Sequence, residues 1–171
     1  MRPLATAPVQ PLPKKASVHL VNVASLISRR PVKGKDLIEG NIPEGFFANE
    51  RNSPLTDPWE PIYVRRTDES LNIGLWLREE HCNARGFAHG GLISALADNS
   101  MGHTCLTAYE MKTSLVTVNL AIDFIGIVKI GAWLEFNSET VKAGKSLAFA
   151  QCMVTADGKL CARGHSTFKV V

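Results

Sequence analysis

The pattern of apolar and polar positions changes period twice along this chain of 171 residues. Ile62-Tyr63-Val64-Arg65-Arg66 reads as a strand, residues 67–70 as a turn, and Leu71 to Arg78 as the returning arm of a hairpin. From Gly91 to Tyr109 the alternation stops. Leu92, Ile93, Ala95, Leu96, Ala97 and Met101 leave almost no polar face, and the only full charge is Asp98. Such a run predicts one long helix buried inside a small domain rather than lying on its surface. Alternation then returns. Ser114 to Ile127 is rich in β-branched and apolar residues, and the next strand puts Ala132, Leu134 and Phe136 on one face against Glu135, Asn137 and Glu139 on the other. Ala143-Gly144-Lys145 turns into a strand from Ser146 to Thr155, and Asp157-Gly158 is a two-residue hairpin signal into a last strand from Leu160 to Val170. Two strands, one long helix and four antiparallel strands predict an α+β domain.

The segment before Ile62 has a different character. Residues 36–61 show weak helical periodicity and then dense turn chemistry around Pro54, Pro58 and Pro61, after which no proline occurs. Residues 1–40 are expected to form a basic, proline-containing extension of flexible character, with the remaining domain at 41–171. Residues 1–35 carry seven basic side chains and no acid, so the formal charge of +3 conceals a remainder with twelve basic and sixteen acidic residues. The body therefore lacks a basic face of the kind that binds nucleic acid. The apolar run Val18 to Ile27 is short, is broken by His19 and Asn22, and has no cleavage-site pattern after it; it reads as tail, or as an over-extended start, rather than as a targeting signal. No stretch reaches membrane-spanning length, so no membrane partner is expected. Cys82, Cys105, Cys152 and Cys161 are widely spaced without a C-x-x-C pair, which fits packed thiols in a reducing compartment such as the cytoplasm. His81, His89 and His103 lack metal-ligand spacing, and no metal or cofactor is implied.

The candidate chemistry lies around the helix. A buried carboxylate is costly unless it is paired, hydrogen-bonded or protonated, which singles out Asp98. At the start of the helix, Gly90-Gly91 follow His89 and Asn83, and a helix N-terminus presents unpaired N–H groups and the positive end of the dipole. Eight residues separate Gly90 from Asp98, about 12 Å along the axis. The two parts are too far apart to serve one bond within one chain. If both act on one substrate, an antiparallel two-fold dimer would bring Asp98 of one subunit to the Gly90 end of the other.

Asn83, the run H-G-G-x-x-x-x-L-x-D from His89 to Asp98, and the strands after the helix resemble the hotdog-fold acyl-CoA thioesterases of the phenylacetate-pathway type, over roughly residues 59 to 171. The resemblance implies a hotdog fold, in which an antiparallel sheet wraps around one long central helix. It also implies a homodimer or dimer of dimers, and hydrolysis of an acyl-CoA thioester at a site shared between subunits. Asp98 would then be general base or nucleophile, two roles that the sequence leaves open. The N–H of Gly90 would stabilise the oxyanion. Asn83 would hold water or the thioester, and His89 would order the loop or touch the carbonyl. Thr117 would orient the water near the carboxylate, although threonine is equally an ordinary strand former. Gly91, Lys145 and Arg163 would contact substrate, the last two at the CoA nucleotide. Two other readings keep the same fold: a hotdog hydratase or dehydratase, which would use a histidine–carboxylate pair, and a non-catalytic acyl-CoA sensor.

Overall fold

The computed structural model describes residues 42–51 and 53–171; the basic extension expected at residues 1–40 lies outside the described residues. Seven strands form one antiparallel sheet: β1 (Phe47–Ala48), β2 (Tyr63–Arg66), β3 (Leu71–Trp76), β4 (Leu115–Phe124), β5 (Trp133–Ala143), β6 (Leu147–Ala156) and β7 (Lys159–Val170). Their spatial order is β1-β2-β3-β5-β6-β7-β4, and the single long helix α1 (Gly90–Thr107) packs against β3, β4, β5, β6 and β7.

The sequence pattern explains most of these elements. The β2–β3 hairpin pairs Val64 with Ile73 and closes through Thr67 and Ser70, whose hydroxyls are 3.0 Å apart. Asp157 and Gly158 both have positive φ (48° and 76°), the conformation that a two-residue hairpin turn needs to match strand twist. Along β5, Leu134 and Phe136 are fully buried on the side that faces the helix. Only β1 was not foreshadowed. It is two residues long, inside the turn-rich stretch, and leaves the sheet a short, blunt edge on that side.

The helix is buried as its composition predicts, but its inner face is not purely apolar. Leu92, Ile93, Leu96, Ala97, Met101 and Cys105 join a core with Leu75, Leu77, Phe136, Val154 and Phe168. Among them sit Ser100 and Thr104, both with no exposed surface. Ser100 Oγ donates to the carbonyl of Leu71 at 3.1 Å, and Thr104 Oγ1 accepts from the N–H of Leu71, also at 3.1 Å. Ser138 adds a hydroxyl contact to Ser100 at 2.8 Å. These bonds tie the helix to the first residue of β3 and so fix its position along the sheet, because a slip would leave buried hydroxyls unsatisfied.

At the other edge, β4 is ten residues long, and among the described residues only its β7 side is paired. The β4–β7 register shifts between Thr117 and Asn119, so Val118 is an extra residue in the strand. The bulge changes which positions face the helix. Before it, Leu115 packs on the core and Thr117 reaches α1; after it, Leu120 and Ile122 pack on the core. Odd positions give way to even ones.

Candidate active site

Two separate groups of side chains border this open strand. The first is centred on Asp98, half-buried on the helix. Thr117 Oγ1 lies 3.0 Å from both Asp98 Oδ1 and Oδ2 and donates to the carboxylate. Burial pushes the Asp98 pKa above its ordinary value, while the hydrogen bond from Thr117 pulls the other way. Burial wins. The result is a carboxylate with more than usual affinity for a proton, held from β4 by Thr117.

The second group is at the start of the helix. His89 is the N-cap: its backbone is extended, and its Nδ1 accepts the N–H of Gly91 at 2.9 Å. A ring nitrogen that accepts must be unprotonated, so the other nitrogen, Nε2, carries the proton of the neutral ring. His89 is thus engaged in ordering the helix start, and the Gly91 N–H is engaged with it. The N–H of Gly90 has no acceptor among the described residues, nor has that of Leu92, so the first turn keeps free donors at the helix start. The ring of Phe124 closes over this point. A Cβ added to Gly90 would sit 3.2 Å from Phe124 Cζ, close enough that the exposed ring would have to give slightly.

Asn83 sets the loop that carries this cap. Its Oδ1 accepts from the N–H of Arg85 at 2.9 Å and of Phe87 at 3.3 Å, and its carbonyl accepts from Gly86, which has φ +75°. The loop is anchored further by Ala88 N–H on the Val128 carbonyl and His89 N–H on the His81 carbonyl, both at 2.9 Å. The Nδ2 group of Asn83 has no protein acceptor among the described residues, so it is the part of the side chain still able to meet a ligand.

The two cations expected at the CoA nucleotide, Lys145 and Arg163, are not brought together. Lys145 is exposed in the β5–β6 turn, beside Gly144, whose carbonyl accepts the Tyr109 hydroxyl at 2.6 Å beyond the end of the helix. Arg163 lies opposite Met153 in β7 and pairs with Asp123 at 2.9 Å. Eight strand positions separate Lys145 from Met153, about 26 Å at roughly 3.3 Å per residue. Two further side chains escaped the sequence reading. Phe124 looked like one more apolar strand position. His81, 1% exposed, accepts the Arg78 N–H at Nδ1 and meets the Trp59 carbonyl at Nε2, so it tethers the segment before β2. Only a three-dimensional contact distinguishes these residues from their neighbours. Cys82 is a packed thiol: it donates to the Arg78 carbonyl, and burial raises its pKa.

An antiparallel sheet curled round one central helix, with a carboxylate and a glycine-opened helix start along one edge, defines a hotdog-fold protein with a candidate hydrolytic site. The comparisons agree. The thioesterase superfamily model matches residues 85–162, the span from the capping loop to β7. A Pseudomonas aeruginosa protein named "Putative esterase PA0474" is 38% identical over 129 residues, which cover 75% of this chain and 96% of that protein. Human acyl-coenzyme A thioesterase 13 is 37% identical over 93 residues, 53% of this chain and 66% of the relative. A thioesterase protein of Streptococcus pneumoniae TIGR4, solved with coenzyme A, has the same fold with a TM-score of 0.60 at 20% identity, covering 66% of this chain and 90% of that one. The chain belongs to the thioesterase superfamily, and it is a thioester hydrolase.

Proposed function

We propose that the protein hydrolyses acyl-CoA to the free acid and CoA, as a two-fold dimer whose sites are each built from both subunits. The observation that carries this reading is Asp98, half-buried and held by Thr117 beneath a strand edge that is unpaired among the described residues. Ten residues of β4 with an open side, bearing exposed Val116, Val118 and Phe124, form the kind of edge that a second copy covers. Antiparallel pairing of two β4 strands would run the two helices in opposite directions. Asp98 of one subunit would then approach Gly90, His89 and Asn83 of the other.

In this site Asp98 is the general base. It takes a proton from water, its basicity raised by burial, and Thr117 keeps the carboxylate oriented. The hydroxide adds to the thioester carbonyl, and the oxyanion is stabilised by the Gly90 N–H at the positive end of the helix dipole. The tetrahedral species expels the CoA thiolate, which recovers the proton from Asp98. Asn83 Nδ2 holds the water or the thioester oxygen, while His89 keeps the helix start in place by capping it. Lys145 and Arg163, at opposite ends of one subunit, would flank a shared site from different subunits and meet the CoA phosphates. The CoA substrate class is supported by the human relative's name and by the coenzyme A in the Streptococcus pneumoniae structure. Four free cysteines support the cytoplasm as its place of work.

The test is thiol release from short-chain, long-chain and aromatic acyl-CoAs, with Asp98→Ala alongside. Turnover on one class that disappears in the variant is the expected result. Undiminished turnover in Asp98→Ala would remove Asp98 from the mechanism, and absence of turnover on every thioester with acyl-CoA still bound would favour a sensor.

A further inference from the structure

On another face of the helix, a cavity of about 340 Å³ opens between α1, β2, β3 and the loop before them. Neither Asp98 nor Thr117 lines it. Its floor is apolar: Ile62, Val64, Ile73 and Leu96 are each no more than 5% exposed. Its mouth is basic. Arg51 and Arg66 stand there with Asn99 and His103, and no carboxylate is among the lining residues. Neither guanidinium has an ion-pair partner among the described residues. Arg51 Nη1 is 3.3 Å from His103 Nδ1, so the ring accepts there and is neutral. Burial, then Arg51 and Arg66, hold the His103 pKa down at about 4, which keeps it neutral at physiological pH.

Such a mouth offers many donors and no anion. Guanidinium groups recognise carboxylates through paired, charge-assisted hydrogen bonds. A hydrophobic floor beneath a few convergent polar groups is the ordinary form of a small-ligand site. We propose that this cavity binds an amphipathic carboxylate, its apolar chain on Ile62, Val64, Ile73 and Leu96 and its carboxylate between Arg51 and Arg66. Such a ligand has two sources. One is a free carboxylic acid; the other is the far end of a dicarboxylic acyl group still bonded to its thiol.

Two measurements on the full chain test this. The first is calorimetric titration with octanoate, octan-1-ol and octyltrimethylammonium, on the wild type and on the double variant Arg51→Gln/Arg66→Gln. Both arginines are exposed, so the variant is expected to keep its fold, which near-ultraviolet circular dichroism checks. Octanoate should bind about tenfold or more tighter than the alcohol and the cation, and the variant should lose that margin. The second compares kcat/KM for octanoyl-CoA and the mono-CoA thioester of octanedioic acid. A preference for the dicarboxylic thioester that the variant loses identifies the acyl end as the ligand; the octanoate margin without that preference identifies the free acid. Absence of both effects overturns the site, as does a margin or preference that survives loss of both arginines. The titration does not depend on turnover, so failure of the catalytic reading leaves it intact.

Discussion

The hydroxyl of Thr117 bridges the carboxylate of Asp98, standing 3.0 Å from each of its oxygens. A hydroxyl has one proton, so it serves the two oxygens in turn and stabilises the charged form in either orientation. Thr117 therefore opposes the burial that raises the Asp98 pKa.

Removing that hydroxyl has a predictable direction. In Thr117→Val the carboxylate loses a donor to its charged form, so its pKa rises further and the acid limb of the kcat/KM profile moves to higher pH. At neutral pH activity should fall about tenfold or more, the scale of one hydrogen bond to a charged group. Thr117→Ser should restore both the limb and most of the rate. A pH–rate profile of the three proteins decides it; an unmoved acid limb in Thr117→Val would show that the bridge does not tune the base.

Asp98 should also cost the protein stability. Because its folded pKa lies above its ordinary value, the folded state binds this proton more tightly than the unfolded chain does. The stability gained from that proton is fully present below the ordinary value and is lost as the pH rises through the folded pKa. Asp98→Asn removes the charge. Its melting temperature at pH 7 should exceed that of the wild type, and the gap should close as the pH falls below the ordinary aspartate value. Activity should drop about 10²–10⁴-fold in the same variant. A variant less stable at pH 7 would contradict the pairing of function with stability cost.

The bulge at Val118 gives a sharper test of geometry. Side chains in a strand alternate between faces, so one extra residue lets Thr117 and the pair Leu120 and Ile122 all face the helix. Deleting Val118 forces a choice: Thr117 turns away from Asp98, or Leu120 and Ile122 leave the core. Activity should fall as far as in Thr117→Val or further, whereas Val118→Ala should stay within about twofold of wild type because it keeps the count of residues. Thiol release on the two variants makes the comparison, and wild-type activity in the deletion variant would refute the role of the bulge.

This bulge also marks where sequence reading stopped. The strand from Ser114 was legible as β-branched and apolar, and Thr117 stood out only through a resemblance, since threonine is common in strands. The helix was legible from its nearly uniform apolarity, the hairpin from Asp157-Gly158, and the carboxylate from its isolation within the apolar run. Register shifts, by contrast, depend on which partner strand each residue meets, and no local pattern encodes that. For the same reason Phe124 over Gly90, and the engagement of Asn83 Oδ1 within its own loop, became visible only once non-local neighbours were in place. The isolated basic residues Arg51 and Arg66 are fifteen positions apart, and the fold alone makes them neighbours of one cavity.

The proposed sharing of each site between subunits makes the last prediction, and it rests on two variants expected to fail for different reasons. Asp98→Asn removes the carboxylate proposed as the base. Gly90→Pro removes the N–H assigned to the oxyanion, at the first helical position, where proline is well tolerated because its missing donor has no partner inside the helix. The ring adds bulk 3.2 Å from Phe124, so Gly90→Ala serves as the control that adds a Cβ and keeps the N–H. Each of the two inactive proteins alone should be nearly silent. Mixed as denatured chains and refolded together, they should form half mixed dimers, and each mixed dimer should contain one site with both defects and one with neither. Thiol release should return to about a quarter of the wild-type rate for random assortment. If each site were contained within one chain, every chain in the mixture would carry a defect and nothing would return. Recovery in the mixture, with Gly90→Ala active by itself, would therefore assign the carboxylate and the helix start of each site to different subunits.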